Sequence, residues 1–269
     1  MKKAVSRVYL TLIYIFLYAP ILLLVVFSFN DTDTKSRTVW SGFSLRWYEM
    51  LFQDRMLLEA LKNTLIIAVC AALSATVLGT VAAIGINSMK GWRKKLVMNV
   101  TNLPMLNPEI VTGVSLMLLM VFVANLFGIS LGMGSIILAH ITFCLPYVIL
   151  SILPKLGQMD PHLYEAAQDL GCTPLRSFFK VVMPEIMSGV ITGMVMAFTL
   201  SLDDFIISYF CSGTTQTLPV YIYSMTKKRV SPEINALSTL LFAVILVLLL
   251  IINIRQGRMG KKEEKEADV

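Results

Sequence analysis

Six long apolar runs constrain this chain more than any other feature of its sequence. Each run is long enough to supply the ~20 residues that an α-helix needs to cross a bilayer. The predicted spans are approximately 8–29, 64–86, 96–127, 135–153, 188–210 and 234–254. Charged residues make up 15% of the 269 residues, against about 25% in ordinary soluble proteins. The sequence therefore predicts an all-α membrane protein with six transmembrane helices, folded as a single transmembrane domain over residues 1–269.

The distribution of Lys and Arg predicts the orientation, because positively charged loops are retained in the cytoplasm. With the N-terminus inside, 15 of the 23 Lys and Arg residues fall in cytoplasmic segments and 8 in external ones. Six crossings then place both termini in the cytoplasm. We expect a multi-pass membrane protein surrounded by the lipid bilayer. The net charge of +6 follows from this topology. No nucleic-acid partner is expected, since no basic face with interleaved aromatic residues remains.

A polar, helix-forming segment, residues 160–184, lies between the fourth and fifth predicted spans. Asp160 is placed to N-cap a helix that begins at Pro161, and apolar residues follow at helical spacing until Gly171 stops the helix. A second short helix follows, and Pro184 is expected to end it. Each helix has one apolar face and about ten residues, too few to be stable alone in water. The segment must therefore pack on another surface.

Two adjacent carboxylates, Asp203 and Asp204, lie within the otherwise apolar fifth span. A charge there costs roughly 2.5–3.5 kcal/mol on insertion scales, so some interaction must offset it. In a continuous helix the two side chains point about 100° apart, and Asp204 shares a polar stripe with Ser201 and Ser208. The stripe is expected to face a water-filled path for a cation. The alternative is a structural ion pair between helices or a pair near the outer interface.

Three other polar or aromatic residues each have a structural and a functional interpretation. Glu109 follows Asn107 and Pro108, the expected N-cap and first residue of a helix whose dipole alone stabilises a carboxylate. Trp47 lies in a predicted short amphipathic external helix. It either anchors that helix at the membrane interface or offers its ring face to an incoming cation. His140, in the fourth span, is expected to form an interhelical hydrogen bond rather than to bind a ligand.

The sequence carries no pattern that points to catalysis or to a metal site. The four cysteines are scattered among the spans, the 160–184 segment and an outer edge, so neither a disulfide nor a metal site is implied. The G-x-x-x-x-G-K-[ST] phosphate loop is absent, so this chain is not expected to hydrolyse ATP. We expect a chain that is not an enzyme and has no cofactor of its own.

The 160–184 segment resembles the EAA signature of the permease subunits of ABC importers. The matching residues are Glu165, Ala166, Ala167, Gly171 and Pro184. In that family the hairpin is the cytoplasmic coupling helix that sits in a cleft of the ATP-hydrolysing subunit, and the resemblance implies the same role here. It also implies the type I importer permease fold, with ATP and Mg bound by the partner ATPase. The alternative is a plain surface or re-entrant hairpin between two spans.

Five further segments resemble the C-type permease subunit of spermidine/putrescine importers, and the resemblance covers nearly the whole chain. The segments are 28–30, 42–48, 139–146, 198–204 and 231–241. The resemblance implies ATP-driven polyamine import, together with a second, B-type permease, two copies of the ATPase and an extracytoplasmic polyamine-binding protein. It also implies that the polyamine path contains Trp47, Glu109, Ser201, Asp203 and Asp204. Glu109 departs from the family pattern conservatively, because aspartate is common there.

Two other functions fit parts of the pattern. A type I importer permease for another cation or small solute would use the same acidic residues structurally. A six-helix secondary transporter would need inverted repeats and coupling-ion sites. The chain has no convincing internal repeat, and the EAA segment argues against the second alternative.

Overall fold

The computed structural model describes residues 2–31, 40–128, 130–160, 162–228 and 233–250, without residues 245, 248 and 249. These residues form helices and connecting loops, with a lone antiparallel bridge between Asn30 and Phe43 as their only extended pairing. The helices are α1 (Lys2–Phe27), α2 (Arg46–Gln53), α3 (Arg55–Ser88), α4 (Gly91–Leu106), α5 (Glu109–Phe127), α6 (Met133–Gln158), α7 (His162–Asp169), α8 (Pro174–Ser177), α9 (Met183–Asp203), α10 (Ile206–Cys211), α11 (Leu218–Lys228) and α12 (Glu233–Val244). The predicted all-α class is confirmed.

Five helical stretches within the described residues are long and apolar enough to cross a membrane. They are Ser6–Phe27, Arg55–Ser88, Glu109–Phe127, Met133–Gln158 and Pro174–Asp203. α12 is also apolar but shorter, and the predicted sixth span, 234–254, continues into residues outside the described ranges. Since ~20 residues of α-helix cross a bilayer, the chain passes through the membrane several times.

The third predicted span, 96–127, was wrong as a single helix, because it is divided between α4 and α5. The break lies at Asn107, whose backbone is extended with ψ of 143°. A residue before proline is pushed out of the α region, and Pro108 lacks the N–H that a continuous helix would use. Asn107 is therefore the C-cap of α4 and not the N-cap of α5. Pro108 takes that N-cap position, and its carbonyl accepts hydrogen bonds from the N–H groups of Val111 and Thr112.

Pro184 does not end the helix that precedes it, contrary to the prediction. α8 continues into a π-helical turn, Phe178–Val182, and then into α9, so that Pro174–Asp203 forms one helical stretch of 30 residues. Proline cannot donate to the carbonyl four residues earlier, so a helix continues past it only with a local change of geometry. The π turn supplies that change: the Met183 N–H bonds to the Phe178 carbonyl, five residues back.

The fifth predicted span, 188–210, was also wrong as an uninterrupted helix. α9 ends at Asp203, Asp204 has extended backbone (φ −66°, ψ 120°), and α10 begins at Ile206. Aspartate competes with the helical backbone for N–H groups and therefore favours helix caps over helix interiors. The two carboxylates consequently do not lie 100° apart on one helix, but on either side of a helix end.

Contacts divide the chain into two units, one formed by Glu59–Tyr221 and the other by Met1–Leu58 with Ile222–Val269. The prediction of one domain over residues 1–269 stays a prediction. In the smaller unit, α2 packs near the end of α1, where the Ser28 and Tyr48 hydroxyls lie 2.7 Å apart. The short amphipathic helix predicted for this segment is confirmed by α2.

The core of the Glu59–Tyr221 unit is built on the packing of α6 against α9. Gly189 and Gly193 of α9 face α6, and a Cβ added at Gly189 would lie 2.9 Å from the Ser151 carbonyl oxygen. Glycine at these positions lets the two backbones approach closely, as small residues do in many membrane helix pairs. The close packing fixes the position of α9 relative to α6.

Candidate functional site

An open cavity of about 380 Å³ lies in the Glu59–Tyr221 unit, between the start of α5, α6 and the end of α9. Its lining residues are Glu109, Phe143, Thr199, Leu200, Asp203, Asp204, Phe205 and Ile206. Three carboxylates thus share one cavity whose remaining walls are mostly apolar. Such a combination suits a cationic ligand with apolar segments, since few polar groups on an apolar wall are typical of small-molecule sites.

Glu109 reaches the cavity because it is the first residue of α5. The break at Asn107 and Pro108 exposes the N-terminal end of this helix, and the Glu109 carboxylate stands in its first turn. The positive end of the helix dipole stabilises a carboxylate there. Glu109 is exposed, so its charge is available to the cavity without the full cost of burial.

Asp203 and Asp204 have different surroundings although they are neighbours. Asp203, the last residue of α9, is exposed and has no hydrogen bond or ion pair within the part of the chain that the structure describes. The Asp204 side chain is only 7% exposed. Its carboxylate accepts hydrogen bonds from the backbone N–H groups of Ile207 at 3.3 Å and Ser208 at 2.8 Å. Asp204 therefore caps the N-terminal end of α10, whereas Asp203 faces the cavity.

A buried histidine connects α6 to the residues on both sides of this helix end. His140 is 1% exposed; its Nδ1 lies 2.7 Å from the Ser201 hydroxyl and its Nε2 3.1 Å from the Ser208 hydroxyl. The same Nε2 lies 3.4 Å from the Asp204 carboxylate. The predicted interhelical hydrogen bond of His140 is confirmed. Ser201, predicted in the polyamine path, is buried against His140 and does not line the cavity.

Trp47 belongs to the other unit, where it holds α2 against the residues that follow α1. It is 7% exposed on α2, and its indole N–H donates a 2.9 Å hydrogen bond to the Asn30 carbonyl. The Arg46 guanidinium carbon lies 5.6 Å from the centre of the indole ring, within the range of a cation–π contact. The indole thus anchors α2 to the residues that follow α1.

The EAA hairpin, residues 160–184, has the predicted first helix and the predicted turn. The Asp160 carboxylate accepts a 2.9 Å hydrogen bond from the His162 N–H; the predicted helix start at Pro161 lies outside the described residues. Gly171 has φ +87°, and the Cys172 N–H bonds back to the Ala167 carbonyl, as in a glycine-terminated helix end. The prediction that Gly171 stops the helix is confirmed.

The exposed surface of the EAA hairpin carries large apolar side chains. None of the described residues covers them. Leu170, Leu175 and Phe179 are all more than 60% exposed. Of the signature residues, Glu165 is exposed and lies 3.5 Å from the His162 ring, whereas Ala167 is buried. An exposed apolar patch of this kind marks a contact surface for a partner.

The helix end at Asp204 and the function of His140 as its anchor were missed from the sequence. A weak signal was present, because aspartate is one of the preferred N-cap residues and is unfavourable inside a helix. The partners of His140 lie 61 and 68 residues further along the chain. Periodicity grouped Ser201, Asp204 and Ser208 into one stripe, but it could not show that this stripe faces His140 on α6.

Comparison with known proteins agrees with this architecture. The family described as binding-protein-dependent transport system inner membrane component matches residues 75–263. The putrescine transport system permease protein PotI of Escherichia coli is 44% identical over 243 residues, covering 88% of this chain and 85% of PotI. The spermidine/putrescine transport system permease protein PotC of Escherichia coli is 38% identical over 243 residues, covering 90% of each chain.

Solved structures with the same fold have more distant sequences. A bacterial ABC transporter involved in the import of the acidic polysaccharide alginate gives a TM-score of 0.73 at 19% identity, covering 95% of each chain. An amino acid ABC transporter gives a TM-score of 0.52, also at 19% identity, covering 76% of this chain. At these identities the similarity concerns the fold alone.

The fold and the sequence relatives together define a membrane-embedded transport subunit and not an enzyme. It has the type I permease fold of ABC importers, which draw on a substrate-binding protein and an ATPase. The chain belongs to the family of binding-protein-dependent transport system inner membrane components, as a multi-pass permease of the inner membrane.

Proposed function

We propose that this chain is the permease subunit through which an ATP-driven importer moves polyamines of the spermidine/putrescine class into the cytoplasm. The observation that carries the proposal is the cavity in which two exposed carboxylates, Glu109 and Asp203, come from two membrane-spanning helices. The relatives PotI and PotC, named for putrescine and for spermidine/putrescine transport, support the substrate class.

The chemistry of a polyamine matches this cavity. A polyamine is a flexible chain of methylene groups with several ammonium charges, and each ammonium that leaves water needs replacement hydrogen bonds. Glu109 and Asp203 supply acceptors, and the rings of Phe143 and Phe205 supply apolar and π faces for the methylene and ammonium groups. A volume of about 380 Å³ falls within the usual range of small-ligand sites, roughly 300–1,000 Å³.

The five predicted path residues have different functions in this proposal. Glu109 and Asp203 contact the polyamine, and Asp204 lines the cavity beside them. Ser201 does not line the cavity; its hydroxyl bonds to His140 behind it. Trp47 has a structural function in its own unit, where its indole hydrogen bond to the Asn30 carbonyl holds α2.

The complete transporter in this proposal contains three kinds of partner. A second, B-type permease covers the open side of the cavity, and an external polyamine-binding protein delivers the substrate. Two ATPase subunits bind ATP and Mg²⁺, and one of them receives the exposed apolar side of the EAA hairpin, including Leu170, Leu175 and Phe179. Both termini lie in the cytoplasm in this arrangement, on the side of the EAA hairpin.

The test measures polyamine uptake by the complete transporter in proteoliposomes, with each variant normalised to assembled complex. Glu109→Gln and Asp203→Asn keep shape but remove one charge each. Because a hydrogen bond to a charged group contributes about 1.5–3 kcal/mol, each variant is expected to raise the KM for putrescine or spermidine roughly tenfold or more. Glu59→Gln is the matched control: Glu59 is an exposed carboxylate on α3 that does not line the cavity.

Unchanged uptake in the Glu109→Gln/Asp203→Asn double variant would overturn the assignment of the cavity as the polyamine path. Failure of the wild-type transporter to take up either polyamine, while ATPase association is intact, would overturn the substrate class. Membership of the importer family would stand in both cases.

A further inference from the structure

His140 lies directly behind the cavity without lining it. It is buried on α6, and Phe143, three residues further along the same helix, is one of the lining residues. Its ring lies between Ser201 of α9 and Ser208 of α10, so it spans the helix end that separates Asp203 from Asp204. A buried imidazole with partners on two elements fixes their relative position more strictly than apolar packing does.

The proton of the imidazole follows from what its neighbours can accept. A carboxylate only accepts hydrogen bonds, and Nε2 is the ring nitrogen that faces Asp204 at 3.4 Å. Nε2 therefore carries the proton and donates to the Ser208 hydroxyl at 3.1 Å, while the Asp204 carboxylate lies 3.4 Å from the same nitrogen. Nδ1 is then an acceptor and receives the Ser201 O–H at 2.7 Å. With this tautomer both ring nitrogens are satisfied, as buried polar atoms require.

Asp204 is thus held from two directions. The backbone N–H groups of Ile207 and Ser208 bind its carboxylate from the start of α10, and the His140 Nε2–H faces it from α6. Its neighbour Asp203 has no such support and projects into the cavity as an exposed side chain. The direction of the Asp203 carboxylate therefore depends on the backbone turn that Asp204 and His140 hold in place.

We propose that His140 is a positioning residue for substrate binding: through Asp204 it holds the end of α9 so that Asp203 faces the cavity. This inference rests on the proposed polyamine function of that cavity. His140 sets the affinity for the polyamine without contacting it, because misdirection of Asp203 weakens the interaction between its carboxylate and an ammonium group.

Two substitutions of similar polarity separate this function from simple structural support. In His140→Gln the amide nitrogen can stand where Nε2 stands, so a donor towards Asp204 is kept. In His140→Asn the shorter side chain places its amide where Nδ1 stands, next to Ser201, and the donor towards Asp204 is lost. Thr76→Val is the control for the loss of a buried polar group, because the Thr76 hydroxyl donates to the Ala72 carbonyl of its own helix and, among the described residues, has no partner on another helix.

The readout is the KM and the maximal rate of putrescine uptake by the complete transporter in proteoliposomes. We expect His140→Asn to raise the KM by a factor of roughly ten, the effect of one weakened charge-assisted contact, with a smaller change in maximal rate. His140→Gln and Thr76→Val should stay within about twofold of wild type. Equal KM values for the Gln and Asn variants would overturn the inference.

A double-mutant cycle distinguishes failure of this inference from failure of the proposed function. If His140 acts through Asp203, His140→Asn should have little further effect in an Asp203→Asn background, since coupled residues are not additive. Additive effects would overturn the inference while the polyamine cavity stands. If Asp203→Asn and Glu109→Gln leave the KM unchanged, the proposed function fails, and the inference fails with it.

Discussion

Gly189→Ala tests the close contact between α6 and α9, because a Cβ at this position meets backbone atoms that cannot turn away. It would lie 2.9 Å from the Ser151 carbonyl oxygen, 3.0 Å from the Lys155 Cγ and 3.3 Å from the Ile152 Cα. Ordinary van der Waals contacts begin at 3.4 Å. The oxygen and the Cβ must therefore separate by about 0.5 Å, and the whole helix pair has to adjust.

The change in the free energy of unfolding caused by Gly189→Ala is the sum of two opposing effects. Overpacking of a well-packed core costs about 1–3 kcal/mol, while alanine in place of a helical glycine contributes about 1 kcal/mol of stability. The net loss expected for Gly189→Ala is therefore about 1 kcal/mol, and for the larger Gly189→Val about 3 kcal/mol. Gly157→Ala on α6 is the control, because no atom lies within 4 Å of its added Cβ.

The assay is the melting temperature of the purified transporter in detergent, followed by size-exclusion chromatography after heating. At roughly 2–4 °C per kcal/mol, Gly189→Ala should melt a few degrees below wild type and Gly189→Val lower still. Gly157→Ala should melt at or slightly above the wild-type temperature. If Gly189→Ala proves as stable as Gly157→Ala, the argument from backbone approach is refuted.

Two further predictions concern the EAA hairpin. Gly171→Val forces a β-branched residue into φ +87°, a strain of about 1–2 kcal/mol or more, so ATPase co-purification should fall while the membrane level stays unchanged. Gly128→Val, strained in the same way at φ +66° but at the end of α5, should keep the ATPase; equal loss in both variants would contradict a coupling function. A reporter domain placed after Asp160 should be cytoplasmic and one placed after Thr215 external, and an external reporter at the first site would contradict the orientation.

Local signals explain why much of the fold could be predicted from the sequence. The apolar runs coincide with the five long apolar helices of the described residues, because ~20 apolar residues have few alternatives to a membrane helix. The hairpin turn was also predictable, since the Asp160 cap and the Gly171 turn each depend on a few adjacent residues. These are the features in which residue type and backbone conformation are most tightly linked.

Hydropathy did not locate the breaks inside the spans, because it averages over a whole helix, whereas a break depends on one or two backbone dihedrals. At Asn107 the following proline was interpreted as a helix start and not as the end of α4. At Asp204 the carboxylate was assigned to a helix face although it caps the next helix. Both breaks border the cavity, so the errors concern the residues that matter most for the site.

The grouping of the cavity carboxylates could be predicted only in part. Asp203 and Asp204 are adjacent in sequence, but their opposite environments result from His140, which lies on another helix. Glu109 comes from α5, and no spacing rule relates it to the end of α9. The packing of helices that are distant in sequence brings these side chains together. The periodicity of each helix does not show which helices pack against each other.

The π turn at Phe178–Val182 also determines the direction in which the EAA hairpin points. In a regular α-helix each residue rotates the chain by about 100° and advances it by ~1.5 Å, whereas a π turn accommodates one more residue in the same turn. Compared with an uninterrupted helix, the hairpin is therefore rotated about the axis of α9 by the rotation of one extra residue, about 100°. The π turn, which lies immediately before Met183 and Pro184, thereby fixes the angular phase between the hairpin at one end of this 30-residue stretch and Asp203 at the other.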